Sequence, residues 1–238
     1  MSKEREIPKI IHQIWSGVNE PLPNHFKMLG ETWKEHHSMW KYEFWDNTRM
    51  NNFIHEFYPQ YLDTFNSFTY NVQRWDAIRY LILDKFGGMY VDFDSECLKP
   101  LDDLFFENEC CFSMEPKEHG VVFNKNLYFN NALMASIPEH PFMKKIVEKV
   151  FCYTPKANSL SLGEKIIEIL TTTGPLLLVD LYENEPNQEN ITLIPAKYVS
   201  PYTDKEIKLI MQGFESDELE SKLNEAYSIH YFFNGWVN

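Results

Sequence analysis

The hydrophobic positions in the first part of the chain follow the periods of strands and helices in turn. Residues 7–15 form a compact apolar run, which is typical of a buried strand. Apolar residues recur every three or four positions in 24–36, which predicts an amphipathic helix. Residues 40–45 alternate aromatic and polar side chains, which predicts a half-buried strand, and Asp46 is placed to cap a helix that continues through Phe57.

The clearest pattern lies in the middle of the chain. Residues 71–86 carry an apolar face typical of a helix, and Gly87 supplies its stop. Residues 88–91 read as a short strand that leads into Asp92-Phe93-Asp94. Further strands are predicted near 110–113, 131–135, 191–194 and 226–231, and further helices near 142–151, 164–170 and 176–183. This alternation favours an α/β fold.

The length favours one large domain. With 238 residues, the chain exceeds a typical domain of about 150 residues but is short for two. We therefore expect a single domain over 1–238, in which a polar helical segment at about 200–225 is a small appendage or lid.

Composition and charge exclude several classes of protein. With 44% hydrophobic and 16% aromatic residues, the chain can build a core and is not intrinsically disordered. Its net charge of −13 argues against a nucleic-acid partner and against a polybasic membrane anchor. If the ligand is anionic, the protein has to recruit cations or backbone N–H groups to hold it.

Cysteine spacing and the first residues bear on location. The four cysteines show no CxxC pair, so we expect reduced thiols and no zinc site. The N-terminus is charged, and no stretch approaches the roughly 18 apolar residues of a membrane span. These features predict a soluble cytoplasmic protein with at most peripheral contact at the inner membrane face.

Asp92 and Asp94 are the first candidates for chemistry. On an extended backbone, two residues that flank a third project to the same side, so Phe93 would point into the protein. Paired carboxylates suit Mg²⁺ or Mn²⁺, ions that usually keep coordination sites for water and phosphate. A DxD pattern alone is weak evidence, because any acidic chain contains it by chance.

The surrounding residues make the pattern more specific. RWDAIRY at 74–80 followed by GGMYVDFD at 87–94 resembles the DXD sugar-binding segment of glycosyltransferase family 32. That family includes capsular polysaccharide and α-mannosyltransferase-like enzymes and is distantly similar to the large clostridial glucosylating toxins. Residues 7–15 and 230–236 resemble its first strand and its C-terminal motif. The resemblance implies a glycosyltransferase A-type domain, with a mixed sheet flanked by helices and with helical insertions.

The resemblance also implies residues that bind the sugar nucleotide. Trp15 corresponds to the aromatic residue that stacks on the base; the alternative is a core tryptophan. Asp76 and Arg79 correspond to the pair that binds the donor sugar; the alternative is a surface ion pair. Tyr90 and Trp236 belong to the segments expected to contact the donor.

The expected metal site combines residues of the DXD segment with residues of the C-terminal segment. Asp94 is implied as the primary ligand of Mn²⁺ or Mg²⁺, with Asp92 as its partner at the ribose or sugar. Asn234 stands where the family more often has Ser, and it is implied to complete the coordination. His230 is either a third protein ligand or a hydrogen-bonded strand histidine.

Other polar residues keep two interpretations each. Arg74 either faces the site or is an exposed cation at a helix start. Asn130, Asn131 and the segment 173–175 resemble family segments near the acceptor, but turn and capping chemistry would also explain them. The remaining histidines singled out are interpreted as core or surface residues: His12, His36, His37, His119 and His140.

The predicted function is a retaining, metal-dependent hexosyltransferase. It would move a hexose from a nucleotide diphosphate sugar, with a UDP-sugar favoured, to a saccharide acceptor in surface polysaccharide biosynthesis. The acceptor would be free or lipid-linked. The alternatives are a haloacid-dehalogenase-type phosphohydrolase, because such enzymes also place DxD after a strand, and a non-catalytic sugar-nucleotide-binding protein.

Overall fold

The computed structural model of the protein describes residues 6–154 and 161–233. In chain order its elements are β1 (Ile10–Ile14), α1 (Asn24–His36), β2 (Lys41–Trp45), α2 (Asn47–Phe57), a 3-10 turn (Pro59–Tyr61), α3 (Leu62–Ser67), α4 (Asn71–Phe86), β3 (Gly88–Val91), β4 (Ser95–Cys97), α5 (Asp102–Phe105), β5 (Cys110–Met114), α6 (Lys117–Val122), β6 (Phe129–Ser136), α7 (Pro141–Phe151), α8 (Leu162–Thr172), α9 (Pro175–Glu183), a 3-10 turn (Gln188–Asn190), β7 (Thr192–Ile194), α10 (Ala196–Val199), α11 (Asp204–Met211), α12 (Asp217–Leu223) and β8 (Ser228–His230).

Six strands form the main sheet, in the order β2-β1-β3-β6-β5-β7. β1 runs parallel to β2 and β3, whereas β6 is antiparallel to both β3 and β5, and β7 is parallel to β5. β4 and β8 form a separate antiparallel pair. The predicted mixed sheet flanked by helices is confirmed, and its topology brings the ends of β1, β3 and β5 and the start of β6 to one edge.

Several predicted elements have the bounds that the pattern indicated. α1, α4 and β3 begin and end where expected. Asp46 caps α2, because its Oδ1 accepts a hydrogen bond of 2.7 Å from the N–H of Arg49. The elements that were not predicted, β4, α5, α6 and α10, have three to six residues each, which is too short to show a period.

Gly87 and Gly88 turn the chain from α4 into β3. Gly87 has φ +63°, and a Cβ there would lie 2.7 Å from the carbonyl oxygen of Ser136. Gly88 has φ +95°, and its Cβ would lie 2.6 Å from the carbonyl oxygen of Ile10 on β1. Both positions therefore need glycine, for backbone conformation and for close approach.

Apolar side chains pack on both faces of the main sheet. Ile78 and Ile82 of α4 pack with Phe112 on one face, while Trp33 of α1 packs with Met89 on the other. In residues 6–154 and 161–233, every helix is too short or too polar to cross a membrane.

His12 belongs to this core. Trp45 Nε1 donates to His12 Nδ1 over 3.1 Å, so the other ring nitrogen carries the proton that reaches the carbonyl oxygen of Gly87 at 3.0 Å. Burial lowers the pKa of His12 to about 4. The imidazole is therefore neutral and structural, as the sequence interpretation expected.

Candidate active site

A cavity of about 630 Å³ opens at the edge of the sheet where three strands end. Trp15 follows β1, Asp92 follows β3 and Glu115 follows β5, and all three line the cavity. Asn131, near the start of the antiparallel strand β6, lies between them. Ligands of α/β sheets bind at such carboxyl edges, so the topology alone marks this cavity as the candidate site.

Asp76 and Arg79 form a buried pair on the wall of the cavity. They lie one turn apart on α4, are 4% and 7% exposed, and place Arg79 Nη2 at 3.2 Å from Asp76 Oδ1. Asn131 Nδ2 and Thr173 Oγ1 each donate to Asp76 over 2.9 Å. Burial raises the pKa of Asp76 to about 6 against the opposing effect of Arg79. The alternative of a surface ion pair is therefore wrong.

Arg79 also connects this pair to the DXD segment. Its Nη1 lies 3.2 Å from Asp92 Oδ1 and donates to the carbonyl oxygen of Asn131 over 2.9 Å. Its guanidinium carbon sits 4.5 Å from the centre of the Tyr90 ring, and the Tyr90 hydroxyl donates to Asp92. Burial alone would lower the pKa of Arg79, but the charges of Asp92, Tyr90 and Asp76 together outweigh burial, and the pKa is raised. Tyr90 thus lines the cavity while its hydroxyl is bound to Asp92.

The backbone of the DXD segment differs from the expectation. Asp92–Asp94 is a turn rather than an extended strand, with the N–H of Ser95 donating to the carbonyl oxygen of Asp92 over 3.2 Å. The physical reason is that the chain leaves the main sheet after β3 and enters the small sheet at β4. Phe93 nevertheless points inward, where it is buried against the edge of Trp15.

The turn brings two carboxylates and an imidazole together. Asp92, Asp94 and His230 each offer a ligand atom, and these atoms lie within 4.8 Å of one another. His230 Nε2 is 3.3 Å from Asp94 Oδ1, and within the described residues His230 Nδ1 is a buried nitrogen without a hydrogen-bond partner. This donor set fits Mn²⁺ or Mg²⁺. Asn234 and Trp236, the other expected contacts, lie outside the described residues.

Burial and neighbouring charges have opposite effects on the pKa values of Asp94 and His230. Burial would raise the pKa of Asp94, but the charge of His230 and the N–H of Phe233, 3.1 Å from Asp94 Oδ2, lower it. Burial would lower the pKa of His230, but Asp94, Glu115 and Asp92 raise it. The carboxylates that raise the pKa of His230 would act in the same way on a bound cation, which would take the place of the proton on the imidazole.

Trp15 lies beside the DXD turn, with its ring 6.4 Å from that of Phe93. Its ring is half-buried, tilted against Phe26 at 5.4 Å between centroids, and its Nε1 donates to the carbonyl oxygen of Glu20 over 3.0 Å. Because the ring lines the cavity, it is available to a flat ligand in a way that a core tryptophan is not.

Glu115, His119 and Asp204 also line the cavity, and the sequence interpretation missed them. Glu115 Oε2 lies 2.5 Å from His119 Nδ1, and His119 Nε2 accepts the N–H of Asp204 at 3.2 Å. The interpretation of His119 as a core or surface residue did not anticipate its place on the cavity wall. A signal existed, since Glu115 and His119 are four residues apart immediately after a predicted strand.

The remaining predicted residues separate into two groups. Arg74 does not line the cavity, because it donates to the carbonyl oxygens of Phe65 and Phe68 and ties α3 to α4. Asn130 lines the cavity together with Gly174 and Pro175. Their neighbours Asn131 and Thr173 donate to Asp76, so the two segments that resemble the acceptor side of the family adjoin the pair of Asp76 and Arg79.

The fold and this site define a class, the glycosyltransferase A-type α/β domain. The solved structure of PaToxG glycosyltransferase has the same fold, with a TM-score of 0.55 at 15% identity over 93% of this chain and 85% of that chain. The mixed sheet flanked by helices is thus the architecture expected from the sequence.

Comparison with protein sequences gives the family. The family described as a glycosyltransferase sugar-binding region containing a DXD motif matches residues 23–111. An uncharacterized glycosyltransferase, L373, of Acanthamoeba polyphaga mimivirus is 33% identical over 211 residues, which are 84% of this chain and 76% of that protein. The protein belongs to this family of DXD-containing glycosyltransferases.

Two fungal relatives have more specific names. Inositol phosphoceramide mannosyltransferase 2 of Schizosaccharomyces pombe is 32% identical over 188 residues, which cover 79% of this chain and 50% of the relative. Mannosyl phosphorylinositol ceramide synthase SUR1 of Saccharomyces cerevisiae is 34% identical over 181 residues, which cover 74% and 42%. The chain thus spans about half the length of these relatives or less.

Proposed function

We propose that this protein transfers a mannosyl residue from a nucleotide diphosphate sugar to a hydroxyl group of a lipid headgroup, with a divalent cation and with retention. The observation that carries the proposal is that one cavity holds both the Asp92–Asp94 turn and the buried pair of Asp76 and Arg79. The first suits a metal-bound diphosphate and the second suits sugar hydroxyls.

The donor would lie along the edge of the sheet. Its base would stack on Trp15 at the end of β1, and its diphosphate would bind beside Asp92, Asp94 and His230 at the end of β3. Its sugar would then reach Asp76 on α4. Adjacent strands are about 4.8 Å apart, so these contacts follow one another at a spacing that an extended sugar nucleotide can match.

The residues would act by binding and by charge. A divalent cation, when bound by Asp94, Asp92 and His230, would neutralise the charge that builds on the leaving diphosphate. Arg79 carries a fixed positive charge between Asp76 and Asp92 and keeps both carboxylates oriented. Each of these aspartates already holds protein partners, which is why we propose no covalent protein nucleophile.

The choice of mannose and of a lipid acceptor is supported by the relatives' names and by the cavity wall. Val72 of α4, Val122 of α6 and Ile166 of α8 line the same cavity as the aspartates. Val121 and Val122 beside it are 73% and 78% exposed. An apolar rim of this kind suits an acceptor with an apolar part. The alternative acceptor is a saccharide of surface polysaccharide synthesis. The cytoplasmic location expected from the sequence stays a prediction.

The phosphohydrolase alternative is less compatible with the site. Such an enzyme needs the first aspartate of the DxD as a free nucleophile. Here Asp92 Oδ1 accepts the Tyr90 hydroxyl and pairs with Arg79. Both contacts reduce the nucleophilicity of this carboxylate.

A panel of donors and acceptors tests the proposal. The donor is identified by thermal shift and calorimetry, each with and without Mn²⁺. The donors compared are GDP-mannose, UDP-glucose, UDP-galactose and UDP-N-acetylglucosamine. Transfer is then measured to inositol phosphoceramide in detergent micelles and to methyl α-mannoside. We expect Mn²⁺-dependent binding of GDP-mannose and transfer to the lipid. Hydrolysis of p-nitrophenyl phosphate without binding of any sugar nucleotide would refute the proposal.

A further inference from the structure

We propose that Glu115 is the acceptor-binding carboxylate, which accepts a hydrogen bond from the hydroxyl group that receives the sugar, and that Asn130 and His119 position it. The inference rests on the proposed function and adds a residue to it. It begins from three residues of the cavity to which the proposed donor contacts give no role: Glu115, His119 and Asp204.

The position of Glu115 in the sheet is the first argument. β5 is separated from β3 by β6, so the end of β5 lies two strand spacings, about 10 Å, from the end of β3. α4, which carries Asp76 and Arg79, packs on β3 and β6, between these two ends. A sugar held by that pair therefore has Trp15 in the direction of β1 and Glu115 in the direction of β5, and Glu115 is near enough to the metal cluster for its charge to raise the pKa of His230.

The hydrogen bonds of Asn130 show that Glu115 is held in place from one side. Ser113 Oγ and the N–H of Ala132 both donate to Asn130 Oδ1, over 2.7 and 3.1 Å. This fixes the orientation of the amide, so Asn130 Nδ2 must be the group that donates to Glu115 Oε1 at 2.8 Å.

His119 holds the other carboxylate oxygen by the same logic. Its Nε2 accepts the N–H of Asp204, so Nδ1 carries a proton and donates to Glu115 Oε2. The ring of Phe232 packs edge-on against His119 at 4.9 Å, which further restricts the imidazole.

The remaining capacity of Glu115 identifies the ligand group. Each carboxylate oxygen has two acceptor positions, and the protein bonds described above use one on each. The side chain of Glu115 is 10% exposed and lines the cavity, so the free positions are within reach of a ligand. These positions can accept hydrogen bonds, and the hydrogen-bond donor of a sugar or polyol substrate is its hydroxyl group.

Glu115→Gln is a suitable probe because it keeps the size of the side chain and most of the surrounding bonds. The amide oxygen can still accept from Asn130, and the amide nitrogen can donate to His119 Nδ1 if the imidazole takes its other tautomer. Nε2–H would then face Asp204 Oδ1, which lies 3.5 Å away, in exchange for the bond that Nε2 accepts from the N–H of Asp204 in the wild type. Glu185→Gln is the matched control, since Glu185 is also buried and bonded, to Lys145 at 2.7 Å, but does not line the cavity.

Three rates or affinities separate an acceptor role from a structural one. The proteins compared are the wild type, Glu115→Gln, His119→Gln and Glu185→Gln. For each we would measure the affinity for GDP-mannose with Mn²⁺, the slow hydrolysis of the donor without acceptor, and the rate of transfer to inositol phosphoceramide micelles or methyl α-mannoside. Loss of a hydrogen bond to a charged group predicts that Glu115→Gln lowers kcat/KM for transfer about 10- to 100-fold, with a raised acceptor KM. Donor affinity and donor hydrolysis should stay within about twofold, and His119→Gln should act in the same direction more weakly.

The outcomes distinguish this inference from the proposed function. Equal losses of donor hydrolysis and transfer in Glu115→Gln, or unchanged transfer, would overturn the role of Glu115 while leaving the glycosyltransferase proposal standing. A wild-type protein that binds no sugar nucleotide, or that transfers to neither acceptor, would overturn the proposed function and this inference with it.

Discussion

Replacing Asp76 by Asn should stabilise the protein near neutral pH while weakening sugar-nucleotide binding. The asparagine can keep the native bonds: its oxygen would accept from Asn131 and Arg79, and its amide would donate to Thr173 Oγ1. The threonine hydroxyl would then turn to the carbonyl oxygen of Ile169, already 3.4 Å away. The change therefore removes a buried negative charge without leaving an unpaired group.

The magnitude follows from the pKa of Asp76, which burial raises from 3.8 to about 6. At about 1.4 kcal/mol per unit, this difference corresponds to about 3 kcal/mol. Below pH 3.8 the carboxyl group is protonated in both the folded and unfolded states and contributes nothing. Between pH 3.8 and about 6 the unfolded state ionises first, so stability falls as pH rises, and above that range the destabilisation is complete. Asp76→Asn removes this loss.

Urea unfolding in EDTA, at ~pH 4.5 and ~pH 7.5, measures the effect, because EDTA removes any metal that would change the charge near Asp92. We expect a gain over wild type of about 1 kcal/mol at the lower pH and of up to about 3 kcal/mol at the higher one, or about 2–4 °C in Tm for each kcal/mol. Asp180→Asn, on the exposed surface of α9, is the control. A mutant that is less stable than wild type at the higher pH would show that the ion pair with Arg79 outweighs burial.

Two further variants test other parts of the donor site. Asp94→Asn should weaken Mn²⁺-dependent nucleoside diphosphate binding at least about tenfold by calorimetry, because it removes a charged metal ligand. Asp102→Asn, outside the cavity, should not, and unchanged titration of the Asp94 variant would refute the metal role. Trp15→Ala should weaken the free nucleotide about tenfold through lost stacking, whereas Trp40→Ala should not. Asp76→Asn should weaken only the sugar nucleotide, and equal losses of both ligands in the Trp15 and Asp76 variants would contradict the assignment of base and sugar.

Much of the fold could be predicted because local patterns determine it. α1 and α4 carry long apolar faces with clear ends, and Gly87 can be recognised as a stop since few other residues adopt its backbone conformation. The order of strands could not be predicted in this way. β6 pairs with β3 across more than thirty intervening residues, which no local period records.

The site shows the same division. Asp76, Arg79, Asp92 and Asp94 could be selected because they fall in two short segments that resemble a known family. The turn at Asp92–Asp94 could not, because it depends on β4 pairing with a distant strand, β8. Glu115 belongs to no such segment, and only the sheet order brings it to the cavity.

The strand order also gives the site a direction. Trp15, Asp92, Asn131 and Glu115 lie at the ends of β1, β3, β6 and β5, which are consecutive in the sheet although their order along the chain is different. Three of these strands end at this edge, and β6, being antiparallel, begins there. If base, diphosphate, sugar and acceptor occupy these positions in turn, the distance between any two is fixed by the number of strands between them. A change in the acceptor would then require changes near β5, α6 and α8 while leaving the donor residues on β1, β3 and α4 in place.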